Sequence, residues 1–178
     1  RGEGLDRLLD EAHAILVDRF VRELRAVGWE VAVEVTFNHF GDRGSIDIFG
    51  WDAATKSVLI VEVKSDIPDS QGTLMPLDRK FRLGLRIARE RGLDGRTVSR
   101  LLVVADRTVN RRRVGRLEST FSAALPVRGH AVRRWLKEPV GSLSGLLFLS
   151  DSPVGGVWRA AAGRLRVNPP RRGPGKIG

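Results

Sequence analysis

The sequence predicts an α/β sandwich, a mixed central sheet with helices on both faces, laid down in the order helix, three-strand meander, helix, strand. Three observations predict it. A long segment of helical apolar period opens the chain, three short segments of strand character follow between turn signals, and a second helical segment leads into a further apolar strand. At 178 residues the chain suits one domain with a sizeable core.

The elements follow in order. Leu5, Leu8, Leu9, Ala12, Leu16, Phe20, Leu24 and Val27 fall at helical spacing and predict an amphipathic helix over 5–27, with Gly28 where a C-terminal cap is wanted. Residues 29–37 alternate, placing Val31, Val33 and Val35 on one side of a first strand. The two glycines and Asp-Arg pair of 38–44 read as a turn into a second strand, 45–51, and Ala53–Lys56 turns into a third, 58–64. Pro68, Asp69, Ser70 and Gly72 mark 66–73 as a loop. A helix over 74–91 follows, with Leu77, Phe81, Leu85 and Ala88 inward, and then an apolar strand at 98–105. Strand, helix and strand predict a right-handed parallel crossover. Residues 107–125 read as one further helix, 131–137 as a short helix or strand, and 145–150 as a last strand. The 168–178 segment, NPPRRGPGKIG, has too little apolar content to order itself and reads as a flexible basic tail.

No apolar run approaches the ~20 residues that span a membrane, and no signal peptide is evident, so a soluble, cytoplasmic protein is expected. Without cysteine, disulfides and thiolate chemistry are excluded. Arg1 stands where a start methionine is usual, which suits a piece of a longer protein. The formal charge is +10, with 26 arginines against 5 lysines. Clusters such as Arg111, Arg112, Arg113 and Arg116, or Arg133 and Arg134, suit phosphate neutralisation along a nucleic acid; a genome rich in arginine codons is the plain alternative.

The chemistry concentrates in 41–65, GDRGSIDIFGWDAATKSVLIVEVKS. Alternation puts Val58, Ile60, Glu62 and Lys64 on one face of an otherwise apolar strand, and a buried charge there is costly unless paired, hydrogen-bonded or liganded. Asp47, on the preceding strand, supplies a second carboxylate beside Glu62 if the strands pair through the 52–56 turn. Two carboxylates and a lysine in one groove suit a hard cation such as Mg²⁺, which takes oxygen ligands and keeps several waters. The plain alternative is a charge pair at a strand end that offsets its own burial.

With Asp47 on strand two and Glu62-Val63-Lys64 on strand three, behind a helix and ahead of a helix and strand, the segment from Leu5 to about Ala105 resembles the PD-(D/E)XK nuclease superfamily, whose domains have the restriction endonuclease-like fold. It resembles in particular bacterial transcriptional regulators that carry such a domain behind an N-terminal helix-turn-helix, a part this chain does not include. The resemblance implies a nuclease-like domain over 1–150, followed by a C-terminal extension, 151–178. It implies Mg²⁺ or Mn²⁺ held by Asp47, Glu62 and the backbone carbonyl of Val63, with Lys64 orienting or helping to deprotonate the attacking water, and phosphodiester hydrolysis as the chemistry. The first helix of such enzymes often adds a glutamate; Glu11 is the candidate here, with Asp18 one heptad later as the alternative and Glu23 nearer the helix end. The implied partner is nucleic acid, DNA in the first place, and a homodimer is a candidate assembly. The rival function is a non-catalytic effector or dimerisation module of a transcriptional regulator.

Other residues carry less. Gln71 follows the third strand as a glutamine does in one nuclease branch, though a loop glutamine is usually plain surface. His13, His39 and His130 have no ligand spacing; His13 is close enough to Glu11 to line the same cleft, with a satisfied half-buried histidine as the plainer reading. Trp51, Trp135 and Trp158 suit base stacking or, by default, packing.

Overall fold

The computed structural model describes residues 2–152; Trp158 and the basic 168–178 segment lie outside them. The first helix, α1 (Gly2–Ala26), buries Ala12, Leu16, Phe20, Val21 and Leu24, while Leu5 and Leu8 on its opening turns remain largely exposed. Gly28 ends it at φ +99°, and the Trp29 amide reaches back to the Leu24 carbonyl at 3.1 Å. Strands β1 (Glu30–His39) and β2 (Asp42–Asp52) form an antiparallel hairpin closed by Phe40 and Gly41, both at positive φ as a two-residue turn of this kind requires. Strand β3 (Ser57–Lys64) pairs antiparallel with β2 and is buried from Ser57 to Val63.

Helix α2 (Ser70–Glu90) starts earlier than periodicity suggests. The Asp69 carboxylate accepts the Gly72 amide at 2.6 Å and caps it. Its inner face is Thr73, Leu77, Lys80, Gly84, Ile87 and Ala88; Phe81 and Leu85, expected inward, are half-buried on the flank. Gly84 sets this rotation, because a Cβ there would lie 2.6 Å from Val98 Cγ2 and 3.2 Å from Ile60 Cγ1, so the helix backbone sits close on the sheet. Strand β4 (Thr97–Ala105) returns parallel to β3. The expected single helix over 107–125 is two, α3 (Thr108–Arg116) and α4 (Glu118–Ala124), broken at Leu117. A two-residue strand not anticipated from the sequence, β5 (Val127–Arg128), precedes α5 (Gly129–Lys137), and β6 (Ser144–Leu149) runs parallel to both β4 and β5.

The six strands lie in the order β1-β2-β3-β4-β6-β5, a mixed sheet with an antiparallel and a parallel half. On one face, α1 and α5 pack over Ile48, Leu59, Val61, Val63, Leu101 and Val103. On the other, α2, α3 and α4 pack over Phe49, Val58, Ile60, Leu102 and Val104. Among the described residues, no helix is long and apolar enough to cross a membrane.

One irregularity positions the site. Ile46 and Ile48 should share a face, yet Ile48 packs under α1 and Ile46 in the core of the α2 side. In β1, Val31 packs on the α1 side, whereas Val35 and Phe37 belong to the α2 side, so the expected single-sided row of valines is broken. The register is unchanged across the break, Val33 opposite Ile48 and Val35 opposite Ile46. Both strands invert together at Glu34, which has φ +49°, and at Asp47 opposite it.

Candidate functional site

Backbone pairing of β2 with β3 ends at Ile48 and Val61. One residue further, the inverted strand turns Asp47 into the gap, where its Oδ2 accepts the Val63 amide at 2.7 Å. A carboxylate thus takes the backbone donor and ties Asp47 to the Glu62-Val63-Lys64 segment. Val63 belongs to the core on the α1 side, so the residues flanking it turn toward α2. Glu62, 4% exposed, there meets two ammonium groups: Lys64 Nζ lies 3.0 Å from Oε1, and Lys80 Nζ of α2 bonds Oε2. Lys80 is itself only 6% exposed. Asp47 is pushed above the ordinary aspartate range, first by burial and then by the Glu62 charge; the Val63 hydrogen bond and the charges of Lys80 and His13 oppose the shift.

In front of Asp47 opens a cavity of about 380 Å³ walled by Asp10 and His13 of α1, by Val63 and Lys64, and by Ser65 and Asp66 of the following loop. A second cavity, of about 580 Å³, also touches Asp10, His13 and Asp47 and extends to Asp18, Val33 and Glu34. The structure therefore brings Asp47, Val63 and Lys64 to one opening, with Glu62 behind it against α2. Glu11, the expected first-helix acid, is exposed and lines neither cavity; Asp10, one residue and about 100° away on the helix, lines both. Asp18 lines the second cavity and pairs with Arg22. Glu23 pairs with Arg133 of α5 instead.

The loop beyond Lys64 is tied down by a residue with no sequence signature. Asn110 of α3 is fully buried; its Nδ2 donates to the Ser65 and Ala105 carbonyls at 3.1 and 3.0 Å, and its Oδ1 accepts the Ile67 amide at 3.3 Å. Arg113 adds bonds to Asp66 at 2.6 Å and to the Ile67 carbonyl at 2.7 Å. The cleft wall is thereby fixed to the end of β4.

The remaining candidates are elsewhere. Gln71 sits exposed in the first turn of α2, and His39 Nε2 lies 3.2 Å from Glu90. His130 lines a separate cavity with Arg133 and Arg134. Trp51 is buried, and Trp135 packs against Trp29 with ring centroids 5.8 Å apart. Of the arginine clusters, Arg111, Arg113 and Arg133 pair with Asp106, Asp66 and Glu23. Arg112, Arg116 and Arg134 are exposed and meet no carboxylate among the described residues.

Among the described residues, no cluster of three or more His, Cys, Asp or Glu side chains is placed to hold a metal ion. Asp47, Glu62 and the Val63 carbonyl are hard oxygen donors of the kind Mg²⁺ takes, but both Glu62 oxygens are engaged by ammonium groups. The set fits a divalent ion only with Lys80 displaced. Comparison of the chain with protein-family models, with characterised proteins and with solved structures found no match.

Proposed function

We propose that the chain is a restriction endonuclease-like, PD-(D/E)XK-type domain that binds DNA at the cleft in front of Asp47. The observation that carries this reading is the meeting of Asp47 with the Glu62-Val63-Lys64 segment, through the 2.7 Å bond from the Val63 amide to Asp47 Oδ2, at the mouth of an open cavity. Lys64, half-exposed at that mouth, is the group that meets a phosphate oxygen. The +10 charge and the exposed Arg112, Arg116 and Arg134 supply sequence-independent attraction to a polyanion.

Cleavage is the stronger form of the proposal. In it, Asp47, Glu62 and the Val63 carbonyl would hold Mg²⁺ or Mn²⁺ once Lys80 is displaced, and the ion would supply Lewis acidity and an activated water. Lys64 stabilises charge developing on the phosphoryl group, and no covalent intermediate on the protein is needed. The buried Lys80–Glu62 pair favours the second reading, a DNA-binding or effector module of a transcriptional regulator that retains the nuclease framework without its chemistry.

Plasmid, linear and single-stranded DNA incubated with the native chain, Asp47→Ala and Lys64→Ala in Mg²⁺ or Mn²⁺ separate the two. Products lost in both variants establish hydrolysis; salt-sensitive binding without products establishes the module. A dissociation constant that does not weaken as salt rises removes DNA binding from both readings.

A further inference from the structure

The chain has 26 arginines and only 5 lysines, yet two of those lysines converge on one glutamate. Lys64 arrives from the same strand and is half-exposed. Lys80 arrives from α2, on the inner stripe between Leu77 and Gly84, a place where a charged side chain is otherwise excluded. An arginine there would bring a planar fork into a space bounded by a helix drawn close at Gly84; an ammonium is compact and concentrates its charge at one point.

Asp47 and Glu62 form a fork of two carboxylates tied together through the Val63 amide, and the Glu62 charge helps raise Asp47 above the ordinary aspartate range. A site built that way needs a positive charge from somewhere. We infer that Lys80 is the resident cation of the Asp47–Glu62 site: its buried ammonium takes the place of a divalent ion's charge, holds Glu62 toward α2, and keeps Mg²⁺ and Mn²⁺ out. This rests on the proposed function only in treating Asp47 and Glu62 as one metal-type site. It also means that the fork is assembled without metal, and that metal competes with a side chain rather than filling a vacancy.

Lys80→Met removes the charge while keeping an unbranched apolar stem. Mn²⁺ binding by titration calorimetry, and the unfolding temperature with and without Mn²⁺, are read on the native chain, Lys80→Met and the double variant Glu62→Gln/Lys80→Met. Binding to Lys80→Met is expected to be tighter than to the native chain by at least about tenfold, since a repelling unit charge a few ångströms away is gone. Its unfolding temperature falls without metal and recovers in Mn²⁺, while the native chain barely responds. The double variant loses both effects and stays folded, because neither charge is left alone.

Equal Mn²⁺ affinity in the native chain and Lys80→Met overturns the inference. So does a Lys80→Met chain that remains unfolded in Mn²⁺, since a resident cation is replaceable by the ion it excludes. Mg²⁺-dependent DNA cleavage by the native chain likewise overturns it while establishing the nuclease reading. Metal gain in Lys80→Met together with no DNA binding by any variant leaves the inference standing and removes the nuclease reading.

Discussion

Replacing Glu62 by glutamine tests the electrostatics of the fork, because the side chain keeps its volume but loses its charge and exchanges one of two lysine-engaged acceptor oxygens for a donating amide. Lys64 is half-exposed and turns to water. Lys80, 6% exposed under α2, has no such exit and is left as a buried ammonium without its hydrogen-bonded carboxylate, with only the Asp47 charge nearby. Breaking a buried pair from one side costs about 3–5 kcal/mol. Against a total stability of about 5–15 kcal/mol for a domain of this kind, that is a third or more of the whole. Urea unfolding followed by the fluorescence of the buried Trp29 and Trp51 reads it as a lowered midpoint at unchanged slope. Lys80→Met alone costs less, as Glu62 keeps Lys64. The double variant recovers part of both losses, giving a coupling energy of about 2 kcal/mol or more. A Glu62→Gln loss below about 1 kcal/mol places the pair with solvent-exposed bridges and refutes the reasoning.

Asp47→Asn keeps an acceptor for the Val63 amide and removes a carboxyl group whose folded-state pKa is raised. A raised aspartate adds stability below its ordinary value of about 3.9 and loses it as pH climbs through the folded value. The variant is therefore more stable than the native chain at neutral pH, and the advantage closes on acidification; unfolding free energies of both chains across that window check the sign, and a less stable variant at neutral pH reverses it. Asn110→Ala strands the Ser65 and Ala105 carbonyls and the Ile67 amide and lowers stability by about 2–4 kcal/mol in urea titration. Gly84→Ala forces a methyl group onto Val98 and Ile60 and costs about 1–3 kcal/mol by thermal or urea unfolding, whereas helix propensity alone predicts a gain from alanine.

In the antiparallel half of the sheet, alternation misleads in β1 and β2, which invert at Glu34 and Asp47, whereas β3 is legible: it matches its apolar run to within a residue, and the charges at its end stand out as out of place. The fork residues Asp47, Glu62 and Lys64 were legible for the same reason. Lys80 was not, since a lysine between apolar positions on an amphipathic helix reads as a solvated charge until the sheet beneath it is known to present Glu62. Asp10 and Glu11 straddle the edge of the helix stripe, whose apolar spacing fixes rotation only to within one position, so the sequence does not separate the exposed Glu11 from Asp10, which lines both cavities. The inversion at Glu34 carries no glycine or proline to mark it, and the α3–α4 break at Leu117 is likewise unmarked at the residue where it falls. Asn110 is an ordinary polar residue in sequence; only the return of β4 beside β3 gives its amide two carbonyls to join.

The shared inversion of β1 and β2 has a consequence for any molecule that enters the cleft. Since Asp47 itself occupies the rung after the last β2–β3 pair, the strands are already parted there, and a molecule entering the cleft does no work in prying them apart. Inserting or deleting a single residue in either hairpin strand alone would swing Asp47 out of the opening and let the sheet zip shut.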